Sequence, residues 1–140
     1  MSADVVRAVW EWINTFPFFP ENVQMVETEF LGRGDCLSLS VENAPVIVSR
    51  FISGAFTAQL KFGVRFRTAP GCSRQRIDAM KFLDCLADWL QNGLPPLGSQ
   101  MRALAVEKSA PVILEEREEN GSEIYLVRFV LTYQALSHSI

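Results

Sequence analysis

Phe56-Thr57-Ala58-Gln59-Leu60-Lys61-Phe62-Gly63-Val64-Arg65-Phe66-Arg67 alternates apolar and polar residues without interruption. Side chains on a strand point to opposite faces in turn, so this pattern describes a long strand with one buried face and one wet face. A sheet of this kind needs a cover for its apolar side, and the following residues supply one. Pro70-Gly71 breaks the strand and Ser73 offers a helix cap. Ala79, Phe82, Leu83, Leu86 and Leu90 then fall on one helical stripe. The opposite face carries Arg74, Asp78, Lys81, Asp84, Asp88 and Gln91, with Trp89 at the border, and Gly93 stands where a helix closes. The reading is a helix over 73–92 lying apolar side down on the sheet, with Leu83, Leu86, Phe62 and Phe129 in the core.

Upstream, Pro45 to Ile52 reads as a strand rich in β-branched residues that turns through Ser53-Gly54 into the long one. Gln24 to Leu31 and Leu37 to Val41 flank Gly32-Arg33-Gly34-Asp35, which reads as the turn of a hairpin. The Arg-Gly-Asp order is taken as part of that turn and not as an integrin motif. Val5, Val9 and Ile13, with Val6 and Trp10 beside them, give a first helix over Ser2 to Phe16 behind a Ser2 cap. Phe16-Pro17-Phe18-Phe19-Pro20 ends it and plugs the core beneath. Downstream, Leu94-Pro95-Pro96-Leu97 is a stiff connector. Met101 to Lys108, Val112 to Glu118 and Glu123 to Tyr133 are strands. Asn120-Gly121 suits a two-residue turn, which places Val112, Leu114 and Glu116 opposite Phe129, Val127 and Tyr125. The fold class is therefore α+β: a mixed, largely antiparallel sheet with two helices, the second across one face.

A length of 140 residues suits one domain over 1–140, with 135–140 expected to fray. Hydrophobic residues make up 49% and charged residues 21%, which argues for a packed interior and against disorder. The net charge of -3 disfavours a sequence-independent nucleic-acid binder. No apolar run reaches the roughly 20 residues a spanning helix needs, and Asp4 and Glu11 sit where a secretory signal favours Lys or Arg. The expected compartment is the cytoplasm, and Cys36, Cys72 and Cys85, without C-x-x-C spacing, are expected to be thiols.

The chemistry-bearing residues exclude more than they suggest. The only histidine, His138, is the third residue from the end and makes a poor catalytic base. Three scattered cysteines cannot build a structural zinc site, and neither phosphate-binding glycine motif is present. Asp84 and Asp88 lie one turn apart but share their helix face with Lys81 and Gln91, so they read as solvated. No catalytic, cofactor-binding or metal-ligating residue is assigned. What remains is charge: Lys61, Arg65 and Arg67 on one strand face, and Glu115, Glu116, Glu118 and Glu119 around a hairpin. Both sets are explained by soluble surface. They also suit an oligomer interface in which the basic strand of one copy meets the acidic hairpin of the next.

Four segments carry a likeness to a known group: Ala44-Pro45-Val46 running into Arg50-Phe51-Ile52-Ser53-Gly54; Phe62-Gly63-Val64-Arg65-Phe66-Arg67; Phe82 through Leu90; and Tyr125 through Tyr133. In this order and spacing, over roughly residues 20 to 134, the chain resembles the tail terminator or minor capsid proteins of long-tailed phages and prophages. The resemblance implies a structural, non-enzymatic protein without cofactors that caps the head-proximal end of the tail tube, as a ring and usually a hexamer. It implies contact with the tail tube protein and the head-tail connector, passage of DNA without sequence recognition, no membrane, and residence in the virion after assembly in the host cytoplasm. The family offers no invariant functional residue to carry over. A head-tail adaptor or stopper is the alternative, and a small α+β ligand-binding or enzyme domain is the alternative of another class.

Overall fold

The computed structural model describes residues 2–20, 23, 26–28, 35–42 and 44–135. The element order is α1 (Ser2–Ile13), β1 (Val26–Thr28), β2 (Cys36–Val41), β3 (Val46–Arg50), β4 (Phe56–Thr68), α2 (Ser73–Gln91), β5 (Met101–Arg117) and β6 (Glu123–Ala135). The sheet runs β1-β2-β4-β6-β5, with β3 also on β4. It is α+β and largely antiparallel.

β4 is the spine. Along one side it pairs with β6 over its whole length, from Phe56↔Ala135 to Thr68↔Glu123. Its other side is shared end to end, β2 taking Phe62 to Arg67 and β3 taking Phe56 to Gln59. This register aligns Leu60, Phe62, Val64 and Phe66 with Leu131, Phe129, Val127 and Tyr125 on one face. Phe62 stacks on Phe129 with ring centroids 5.2 Å apart. Leu83 and Leu86 of α2 are fully buried against this face, as the apolar stripe requires. Each such side chain is worth about 1.5–3 kcal/mol of transfer free energy. Val5, Val9 and Ile13 of α1 join the same cluster beside Val26, Leu37 and Leu39, so both helices cover one side of the sheet.

Helix α1 stops at Ile13 and not at Phe16. Asn14 and Thr15 turn their side chains back onto the carbonyls of Trp10 and Trp12, at 3.0 and 2.6 Å. They satisfy the helix end before the proline is reached. Phe16 is buried and meets Phe19, Phe82 and Trp89, as a core plug should, while Phe18 is exposed. The capping role read for Ser2 falls on a side chain outside the described ones, and the Gly32-Arg33-Gly34 turn lies outside the described residues. Of the residues 135–140 expected to fray, Ala135 is instead buried at the end of β6, paired with Phe56 and Met101, and 136–140 lie outside the described residues.

The remaining differences from the sequence reading are matters of pairing. β1 runs parallel to β2, Val26↔Leu37, so the two are not the arms of a hairpin. β1 is tied instead to α1: Trp10 Nε1 donates to the Val26 carbonyl at 2.6 Å, and the Val26 amide donates to Asn14 Oδ1 at 2.9 Å. The two strands expected on either side of Pro111 are one strand, β5, which passes through the proline with register shifts on both sides of Ala110. An edge strand tolerates proline because the missing N–H need not face a partner. The Asn120-Gly121 turn is a three-residue loop closed by Glu118 N to the Ser122 carbonyl, with Gly121 at φ 91°. Gly121 supplies the left-handed residue such loops use. The extra residue moves Glu116 opposite Ile124, and a register shift between Leu114 and Glu116 then sets Leu114 opposite Tyr125. The cap of α2 is Cys72, without a side-chain hydrogen bond, and not Ser73. Gly93 is closely approached: a Cβ there would sit 3.2 Å from the Trp12 ring, which would have to give by a few tenths of an ångström.

Candidate functional site

The wet face of the sheet gathers the candidate charges in a way the sequence reading did not anticipate. Arg65 and Arg67 point outward from β4, and the β5–β6 hairpin brings Glu115 and Glu118 to the same face. Arg65 Nε donates to Glu115 Oε1 at 2.6 Å and Nη2 to Oε2 at 3.1 Å, a two-point contact. Arg67 pairs with Glu118 at 2.8 Å. A third ion pair, Arg128 with Glu42 at 3.0 Å, ties β6 to the end of β2. The hydrogen bond from Arg65 holds the Glu115 carboxyl below its usual range against the opposing effect of desolvation, and the Arg65 and Arg128 charges add to the lowering. Basic strand and acidic hairpin are thus complementary, but within one chain. Of the seven interface candidates, Arg65, Arg67, Glu115 and Glu118 are joined intramolecularly, whereas Lys61, Glu116 and Glu119 lie exposed.

These ion pairs lie over a small second apolar patch. Leu126 and Ile124 are buried on the wet face, and Cys36 and Ser38 of β2 are buried there too. A Cβ at Gly63 would come within 3.0 Å of Leu126 Cδ1, so glycine interrupts the long strand to make room for that leucine.

A cluster missed by the sequence reading centres on Glu123, at the start of β6. Its carboxylate is buried and accepts from three donors: Arg76 Nε, at 3.0 and 3.1 Å to its two oxygens, Arg117 Nε at 2.8 Å and the Tyr125 hydroxyl at 2.7 Å. Arg117 Nη2 also approaches it at 2.7 Å. The Tyr125 hydrogen bond is the largest cause holding the Glu123 carboxyl below its usual range; desolvation opposes it and the two arginines reinforce it. Burial pushes the Tyr125 hydroxyl up to about 12, helped by the carboxylate it donates to. The signal was present: Glu123 shares strand parity with Tyr125, Val127 and Phe129, which puts an acid on the buried face where it needs partners. A saturated carboxylate of this kind has no lone pair directed at a ligand, and its chemistry is that of a staple.

The second distinctive surface is the β3 arm. All five residues of β3 are exposed, Val46, Ile47 and Val48 among them, and the turn beyond carries exposed Phe51 and fully exposed Ile52. Arg50 lies over the Phe56 ring at 5.9 Å. This β-branched strand, with a bulge between Ile47 and Ser49, pairs with β4 on one side and leaves apolar side chains exposed along its length.

Asp84 and Asp88 are exposed on the outer face of α2, Cys72 and Cys85 are exposed thiols, and Cys36 is buried. Among the described residues no group of three or more His, Cys, Asp or Glu side chains is placed to hold a metal ion, and no helix is long and apolar enough to cross a membrane.

No protein-family model matches the chain, and no curated protein does. The fold, however, has been seen before. A chain in the virion of native gene transfer agent particle is similar with a TM-score of 0.57 at 14% identity, over 82% of this chain and 80% of that one. A second solved chain aligns over 95% of this chain and 91% of its own at 20% identity, with a TM-score of 0.48. The likeness to the virion chain is one of fold.

Proposed function

We propose that this protein is a structural component of a phage-like virion, a tail terminator that closes the head-proximal end of the tail tube as a ring, most simply a hexamer. In this reading it stops tube polymerisation, offers the head connector its docking surface, lets DNA pass without reading it, and catalyses nothing. The observation that carries the proposal is the likeness of fold to a chain of a gene transfer agent virion. The exposed β3 arm supports it, because a ring subunit must present surface that only a neighbour covers.

The joining of Arg65 with Glu115 and Arg67 with Glu118 changes where the ring contact belongs. Apolar anchors supply most of the affinity at protein interfaces, and rim charges supply register. The contact is therefore assigned to Val46, Ile47, Val48, Phe51 and Ile52, with Lys61, Glu116 and Glu119 as rim charges. Native mass spectrometry of the purified chain, alone and with its tail tube protein, tests this. A closed ring in either sample supports the proposal. A monomer in both, which also fails to sediment with tubes, removes it.

A further inference from the structure

The N-terminal third of α2 has almost nothing of its own to hold it. Residues 73–78 are all exposed, and the first buried position of the helix is Ala79. The cap residue, Cys72, makes no side-chain hydrogen bond. No acid occupies the first turn, and Arg74 and Arg76 place positive charge where the helix dipole disfavours it. Ile77 points its apolar side chain to solvent. The local support is one side-chain contact, Gln75 Oε1 accepting from the Gly71 amide. A segment with no buried apolar residue belongs to the low end of the local stability range.

One long-range connection opposes this. Arg76 reaches the buried Glu123 carboxylate with both oxygens within 3.1 Å. Through it the first turns of α2 are fixed to the same group that Arg117 of β5 and Tyr125 of β6 hold. From β4 the residue paired with Glu123 is Thr68, which is uncharged. Thr68 also lines a cleft of about 290 Å³ between this end of α2 and the end of β4, together with Pro20, Phe66, Gln75, Asp78 and Phe82.

We propose that residues 73–78 are a latched segment that opens locally, with Arg76 and Glu123 as the latch, and that its opening widens the cleft lined by Thr68, Gln75 and Asp78 without unfolding the sheet. Opening leaves Glu123 with Arg117 and Tyr125, so its charge stays partnered and the rest of the fold persists. Protonating Glu123 weakens the Arg76 contact and favours the open form. The inference concerns the molecule itself and goes beyond the ring reading, on which it does not depend.

Hydrogen exchange read by mass spectrometry on the full chain tests it, with wild type, Arg76→Gln and Glu123→Gln compared after correction for intrinsic rates. In Arg76→Gln, amides of 73–78 are expected to exchange at least tenfold faster, while those of 83–90 and of β4 and β6 stay within about twofold of wild type. Wild-type exchange of 73–78 is expected to rise as pH falls through the Glu123 titration, and the same segment in Glu123→Gln is expected to be flat with pH. If Glu123→Gln proves too unstable to fold, Arg76→Gln and the wild-type pH series decide alone. Unchanged protection of 73–78 in Arg76→Gln, or acceleration spread evenly over the sheet, overturns the latch.

Discussion

Reversing two arginines distinguishes charge pairing within a chain from pairing between chains. Arg65 and Arg67 each face a hairpin carboxylate, and the partners are about one-fifth to one-third exposed. A pair in that setting is worth about 1 kcal/mol, somewhat more for the two-point Arg65 contact. Arg65→Glu with Arg67→Glu removes both pairs and sets carboxylates side by side, adding about 0.5–1 kcal/mol of repulsion at each. The sum is a loss of about 3–4 kcal/mol from a domain whose total stability is of order 5–15 kcal/mol. Urea unfolding followed by circular dichroism measures it, and the loss should be the same across a hundredfold range of protein concentration. Adding Glu115→Arg and Glu118→Arg to the same chain should recover most of it. The refuting result comes from mixing: chains carrying only the arginine changes and chains carrying only the glutamate changes should not rescue each other. If the mixture regains wild-type stability, the pairs form between copies and the intramolecular reading is wrong.

Phe62→Ala empties a fully buried site stacked on Phe129 and should cost about 3–5 kcal/mol in the same urea assay, whereas a loss below 1 would mean that the long strand's faces are reversed. Glu115 and Glu123 both have lowered pKa values, so the stability they contribute is present above about pH 4.5 and is lost as pH falls through their folded values. Tyr125 is raised, so its contribution is whole below about pH 10 and lost as pH climbs towards about 12; thermal melts across pH 3 to 12 should show both limbs, with Tyr125→Phe flattening the alkaline one. Asp84→Asn with Asp88→Asn should leave stability within about 0.5 kcal/mol and tail assembly intact, because both acids project from the exposed side of α2. A complete assembly block in a folded double variant would assign that face a role.

The parts of the fold legible in the sequence were those with a sustained period. β4 shows its two faces through six alternations, and α2 shows its stripe over five apolar positions, because burial on one side constrains every second or every third to fourth residue. Pairing was less legible. Nothing in Val26-Glu27-Thr28 distinguishes a parallel partner from an antiparallel one; that choice is made by Trp10 and Asn14, which bind both backbone groups of Val26 from another element. The β5 register changes at four places, so a single turn assignment propagated along it goes astray. The charges were visible, but their closeness depended on strand order, which sets β5 beyond β6 where Glu115 and Glu118 reach Arg65 and Arg67, and not on spacing. Glu123 was hidden because an acid at a strand start is commonly solvated, and its three partners come from three elements.

The proposed function has this chain end a tail tube. Electron microscopy of particles assembled with and without the protein tests it most directly, with tube length and head attachment scored on the same grids. The proposed function predicts that tubes made without it are longer and more variable and carry no heads, and that adding the purified protein restores a ring of density at one end. Tubes of normal length joined to heads in its absence would contradict it.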